Sequence, residues 1–187
     1  MAILLIGGAP RTGKSLLAHQ LMTLTNTPYQ SIDPLKMAIH HAIPDYPLDT
    51  NAGSVAVSEQ LWPFLKCLVQ NSIDTGVSSI LEGELLPARV AELMQANPGK
   101  IRACFVGYQS ISITEKCQQI RRHSGHPNDW TADLDDTDLA SLVKEGIQFS
   151  HQLRHDCHQQ GLPYIDFSDD YERAAREVIR TLTATSQ

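Results

Sequence analysis

One run, Gly8-Ala9-Pro10-Arg11-Thr12-Gly13-Lys14-Ser15, constrains this chain more than any other stretch. It fits G-x-x-x-x-G-K-[ST], a phosphate-binding loop that works only between a strand and a helix. Both flanks agree. Ala2-Ile3-Leu4-Leu5-Ile6-Gly7 is a short apolar run suited to a strand buried on both faces. Leu16-Leu17-Ala18-His19-Gln20-Leu21 has helical spacing. The glycines let the backbone turn its N–H groups inward, and the helix N-terminus adds unpaired donors with a partial positive charge. The sequence therefore predicts a site made by Gly8, Ala9, Pro10, Arg11, Thr12, Gly13, Lys14, Ser15 and the first helical residue, Leu16. Lys14 would reach the β- and γ-phosphates of a nucleotide, and the Ser15 hydroxyl would ligate Mg²⁺. The bland alternative is a glycine turn that binds nothing; a full motif in the right context outweighs it.

Beyond the loop, strand and helix signals alternate. Tyr29 to Asp33 is a short strand candidate ending in a carboxylate, and Pro34 favours a fresh helix start. Residues 35–42 look helical and 43–53 form a loop. From Val57 the positions Leu61, Phe64, Leu65, Leu68 and Val69 follow helical spacing to a stop at Gly76, with Pro63 kinking the helix or marking its first turn. Residues 77–82 make a third strand ending in Glu82, and Pro87 opens a helix closed by Asn97-Pro98-Gly99. Ile101 to Gly107 is the fourth strand, and Ser112 with Glu115 forms a capping box for a helix reaching Arg122. Residues 123–136 are a polar flap, 138–160 a long helix, 162–167 the fifth strand and 171–183 the last helix. Strands that alternate with helices imply parallel crossovers, hence an α/β chain folded as a three-layer α/β/α sandwich with a five-stranded parallel sheet. Ligands of such sheets lie beyond the C-terminal strand ends. Gly8, Asp33, Glu82 and the segments after Gly107 and Phe167 should share one crevice. Residues 1–187 are expected to form a single domain.

Net charge is −6 and no lysine–arginine run occurs, which argues against a nucleic-acid-binding face. The N-terminal apolar run is too short to span a membrane and lacks the charged start of a signal peptide, so no membrane partner is expected. Cys67, Cys104, Cys117 and Cys157 are widely spaced with no CxxC pair, and read as reduced, mostly buried thiols of a cytoplasmic protein. His151, His155 and His158 share a helix face, but without an acidic third ligand they read as a polar face and not a metal site. His40 and His41, with opposed directions on a helix, suit the acceptor side better than a metal.

The P-loop, the acids Asp33 and Glu82 at strand ends, and the arginines before a polar flap together resemble the small kinases of the P-loop NTPase superfamily. Adenylate-kinase-like, shikimate-kinase-like and 2-phosphoglycerate-kinase-like proteins are of this kind. The resemblance implies strand order 2-3-1-4-5, an acceptor-side helical segment at about 34–75 and a lid-like flap at about 123–136. It implies ATP and Mg²⁺ as cofactors and a small metabolite or nucleotide as phosphoryl acceptor. Asp33 then orients or deprotonates the acceptor hydroxyl, and Lys36 holds an anionic group on the acceptor. Glu82, which departs from the usual Walker B aspartate, holds Mg²⁺ through water or orients the acceptor, with Glu84 and Arg89 nearby on the acceptor side. Arg121 and Arg122 resemble lid arginines that clamp transferring phosphates. The flap departs from the pattern, with no arginine of its own and with Asp129, Asp133, Asp135 and Asp136. The resemblance thus implies an ATP:small-molecule phosphotransferase, monomer or homodimer. The alternative is a regulatory switch NTPase without a small-molecule acceptor; a guanine-specific N/T-K-x-D segment is missing from the sequence.

Overall fold

A strand placed at the centre of a parallel sheet is buried on both faces and has no need for alternation. β1 (Ile3–Gly8) shows this, with every residue buried. It pairs in parallel with β3 (Ser79–Gly83) on one side and β4 (Ile101–Gly107) on the other. β2 (Tyr29–Ser31) joins β3, and β5 (Tyr164–Asp166) joins β4, also in parallel. The order is β2-β3-β1-β4-β5, as the kinase resemblance implies. The computed structural model describes residues 2–124 and 129–184.

Helices cover both faces. Leu4 and Ile6 point to the face closed by α1 (Lys14–Thr25) and α7 (Tyr171–Thr183), packing with Leu17, Leu21, Val178 and Leu182. Ile3 and Leu5 point to the other face. There they meet α2 (Ile32–Ala42), α3 (Ser54–Asp74), α4 (Pro87–Ala96) and α6 (Asp136–Gln160) through Ile32, Leu61, Leu93 and Leu153. A smaller cluster joins Tyr108, Ile120, Leu139 and Val143 where α5 (Ile113–Arg122) lies on α6, and it includes Ala9 of the P-loop. The three layers are therefore present. Among the described residues no helix is long and apolar enough to cross a membrane.

Several boundaries shift from the sequence reading. β2 ends at Ser31, and the helix starts at Ile32, two residues before Pro34. Proline tolerates any first-turn position, since those N–H groups lack intrahelical partners. α3 begins at Ser54 and carries Pro63 in its interior; the apolar stripe through Leu61 and Leu65 holds the helix together across it. β3 begins at Ser79 and β5 is only three residues long. Ser112 does cap α5, accepting from Glu115 N at 3.2 Å. Of the cysteines only Cys104 and Cys157 are buried; Cys67 is exposed.

Candidate active site

The chain leaves β1 at a point where only glycine fits. A Cβ on Gly8 would stand 2.1 Å from Val106 O, so the close β1–β4 approach excludes any side chain. The loop then takes left-handed backbone at Arg11 (φ 59) and at Gly13 (φ 84), the N-cap of α1. At Gly13 a Cβ would lie 2.9 Å from the Tyr171 ring. Arginine in that conformation is strained, and such strain concentrates at functional sites. Thr12 Oγ1 and Lys14 Nζ both donate to Ala9 O, at 2.9 and 2.8 Å, and fix the loop's curl. α1 has no side-chain cap, and its first bond runs from Leu17 N to Gly13 O. The N–H groups ahead of Leu17 are thus unclaimed by the helix and suited to an anion.

The parallel register sets Ile6 opposite Glu82, which carries the acid to the mouth of the P-loop. Glu82 is 3% exposed and accepts from Ser15 Oγ at 3.0 Å. A buried carboxylate bonded to the P-loop hydroxyl offers two hard oxygens in one place, the donor set Mg²⁺ takes alongside phosphates and water. The two residues read as metal ligands are therefore together. Lys14 lies beside them. Burial pushes its ammonium below the ordinary lysine range, while Glu82, then Asp33, then Glu84 push back.

Asp33 lies in the first turn of α2 and not at a strand end, a correction to the sequence reading. It still faces Lys14 closely enough to act on its charge. Its Oδ1 accepts from Lys36 Nζ at 3.2 Å, and the Glu84 Oε2 stands 4.0 Å from the same ammonium. Ser54 Oγ donates to Glu84 Oε1 at 2.9 Å and ties α3 to this corner. Lys36 is therefore bracketed by two carboxylates, and its charge is shared with them before any acceptor arrives.

The arginines fall elsewhere. Arg89 on α4 lies 2.8 Å from Glu59 and 3.3 Å from Glu92, and clamps α4 to α3. Its partner Glu59 belongs to α3, within the segment expected on the acceptor side, and both neighbouring acids already share its charge. Arg122 is exposed at the end of α5. Arg121 reaches into the flap, where its guanidinium donates to Leu134 O at 2.6 Å, Thr131 O at 3.4 Å and Asp136 Oδ1 at 3.1 Å. These bonds tie the end of α5 to the flap. Residues 125–128 of the expected flap lie outside the described residues. The part from Asp129 onward meets the P-loop directly: Asp129 Oδ1 stands 3.0 Å from Arg11 Nη1 and accepts from Thr131 Oγ1 at 2.7 Å. Replacing Arg121 by glutamine should raise amide exchange over 131–136 by roughly tenfold, the loss expected for one to two net hydrogen bonds. Hydrogen-exchange mass spectrometry reads this directly; unchanged exchange would deny Arg121 its hold on the flap.

His151, His155 and His158 are exposed, His155 Nε2 meets Gln159 Nε2 at 2.8 Å, and among the described residues no metal-holding group of three His, Cys, Asp or Glu occurs. His40 and His41 turn toward each other, ring centroids 5.1 Å apart. One residue was missed. Lys116 is 6% exposed and lies over the Tyr108 ring at 4.3 Å. Its signal was the i,i+4 spacing to Ile120, which puts both on the inward stripe of α5.

No family model matches the chain, and a comparison with curated proteins finds no match. Solved structures do share the fold. A gluconokinase from Sinorhizobium meliloti aligns over 97% of this chain and 91% of its own, with TM-score 0.61 and 15% identity. A sugar kinase from Janibacter aligns over 97% and 94%, at 0.58 and 17%. A shikimate kinase from Bacteroides thetaiotaomicron aligns over 98% and 99%, at 0.57 and 12%. The chain is similar to these kinases in fold across nearly its whole length.

Proposed function

We propose that the protein transfers the γ-phosphoryl group of ATP, as its Mg²⁺ complex, to the hydroxyl of a small-molecule acceptor. The observation that carries this reading is the Ser15–Glu82 hydrogen bond beside Lys14, with Asp33 facing the same lysine. In this reading the P-loop amides and the start of α1 cradle the phosphates. Ser15 would ligate Mg²⁺ and Glu82 would hold it directly or through water; the metal screens the β/γ charge when bound. Lys14 exchanges its bond to Ala9 O for phosphate oxygens. Asp33 orients the acceptor hydroxyl and takes up its proton as the oxygen attacks phosphorus. Phosphoryl transfer is mostly positioning and charge stabilisation, so this division of labour supplies the needed parts. The names of the gluconokinase, sugar kinase and shikimate kinase structures support a small polyhydroxylated acceptor class. The same reading makes the protein cytoplasmic, a monomer or homodimer, with neither nucleic acid nor membrane as partner.

Coupled measurement of ADP release tests it, across nucleoside monophosphates, sugar acids, glycerates and aminoglycosides. The expected result is release that depends on one acceptor class. ADP release at the same rate with no acceptor present would favour the switch NTPase instead.

A further inference from the structure

Three cations share the P-loop crevice, and their counter-charges are unequal. Arg11 is held by Asp129 at 3.0 Å. Lys14 is balanced by Glu82, Asp33 and Glu84. Lys116 has neither a carboxylate nor a hydrogen-bond partner among the described residues, and rests on the Tyr108 ring. The groups acting on it are Arg11 and Lys14 from the P-loop side, both cationic. α6 contributes the apolar Leu139, Leu142, Val143, Ile147 and Phe149 to the Tyr108 cluster, and Ser150 accepts from Tyr108 N. A buried ammonium without an opposite charge is costly, and a folded chain rarely keeps one to no purpose. A polyphosphate in the P-loop would supply the negative charge that is missing beside these cations.

We propose that Lys116 is a phosphate-binding residue of this crevice, carried on the Tyr108 ring and turning its ammonium to the polyphosphate when the P-loop is filled. This inference rests on the nucleotide reading of the P-loop and adds to it the cation that Arg121, committed to the flap, does not supply. It also makes binding proton-linked. Burial first, then Arg11 and Lys14, bring the Lys116 ammonium down to about 8. Below that pH the free protein already holds the proton. A bound polyanion raises the pKa, so above it binding takes up a proton. Affinity should then fall by up to about tenfold per pH unit until the pKa of the bound form is reached.

Calorimetric titration of the full chain with Mg-ADP and with inorganic tripolyphosphate, from pH 7 to 9.5 in buffers of differing ionisation heat, tests this. Wild-type protein should take up close to a single proton per site near the top of that range and almost none at the bottom. Lys116→Met, close in shape, should bind about 10–100-fold more weakly at neutral pH, as expected for a lost charged hydrogen bond, and show less proton uptake. Lys116→Arg should bind with a flatter pH profile; melting curves of both variants confirm folding. If Lys116→Met binds Mg-ADP and tripolyphosphate with wild-type affinity and the same pH dependence, Lys116 is only a staple on Tyr108. That result overturns this inference and leaves the kinase reading intact. If wild-type protein binds tripolyphosphate through Lys116 but binds no nucleotide, the kinase reading falls and this inference stands. If it binds neither, both fall.

Discussion

Lys14→Ala is expected to lower ATP-dependent phosphoryl transfer by roughly 10²–10³-fold or more, the loss seen when one preorganised charge-stabilising group is removed. The lysine is the only point charge built into the P-loop motif at the β/γ position. Its hydrogen bond goes to Ala9 O in its own loop, while its charge balances Glu82, Asp33 and Glu84. Burial disfavours its charge in the folded chain. Removing it leaves the buried Glu82 carboxylate unbalanced, so the melting temperature should fall while the chain still folds, and activity should collapse. Thermal unfolding and acceptor-dependent ADP release, measured on the same preparation, separate these effects. Full turnover in that variant would place the active site elsewhere.

Asp33→Asn should act at the other end of the reaction. The variant keeps the shape of the side chain but surrenders the proton-accepting charge. Turnover should fall by roughly 10²–10⁴, the range for one general acid–base group, with ATP affinity within a few-fold of wild type. The split matters because Asp33 also accepts from Lys36. If the residue served only to hold Lys36, acceptor KM would rise with kcat preserved. Loss of kcat at saturating acceptor is the outcome that identifies a chemical role. Unaltered kcat would hand that role to Glu84, which also faces Lys14 and lies 4.0 Å from Lys36.

The parts of this site legible in the sequence are those set by local physics. The P-loop needs one strand, one turn and one helix, all contiguous, and Ser112 caps α5 through a neighbour three residues on. Glu82 was legible because a strand-terminal acid in a parallel sheet can only open onto the C-terminal crevice. The partners of Arg89 and Arg121 were not legible because they are distant in sequence. Glu59 lies 30 residues from Arg89, and Leu134 lies 13 residues from Arg121. A charge pattern on one helix carries no record of which acid or carbonyl a neighbouring element will present. Lys116 was overlooked for a related reason. Lysine defaults to solvent, and only the packing of α5 over Tyr108 turns it inward.

The register that sets Glu82 against the P-loop also governs how the molecule can assemble. Ser15 and Glu82 are 67 residues apart in sequence, and both neighbours of β1 reach it only through long crossovers. The strand–loop–helix unit can form early from local contacts, but its acid arrives only after the slow, non-local pairing of β1 with β3. On the proposed function, a nascent chain that has not yet emitted residue 82 would have the phosphate loop without its metal partner. Magnesium–nucleotide binding, as proposed, would then report completion of the sheet, and its free energy should hold the whole β3–β1–β4 unit against unfolding, not the loop alone.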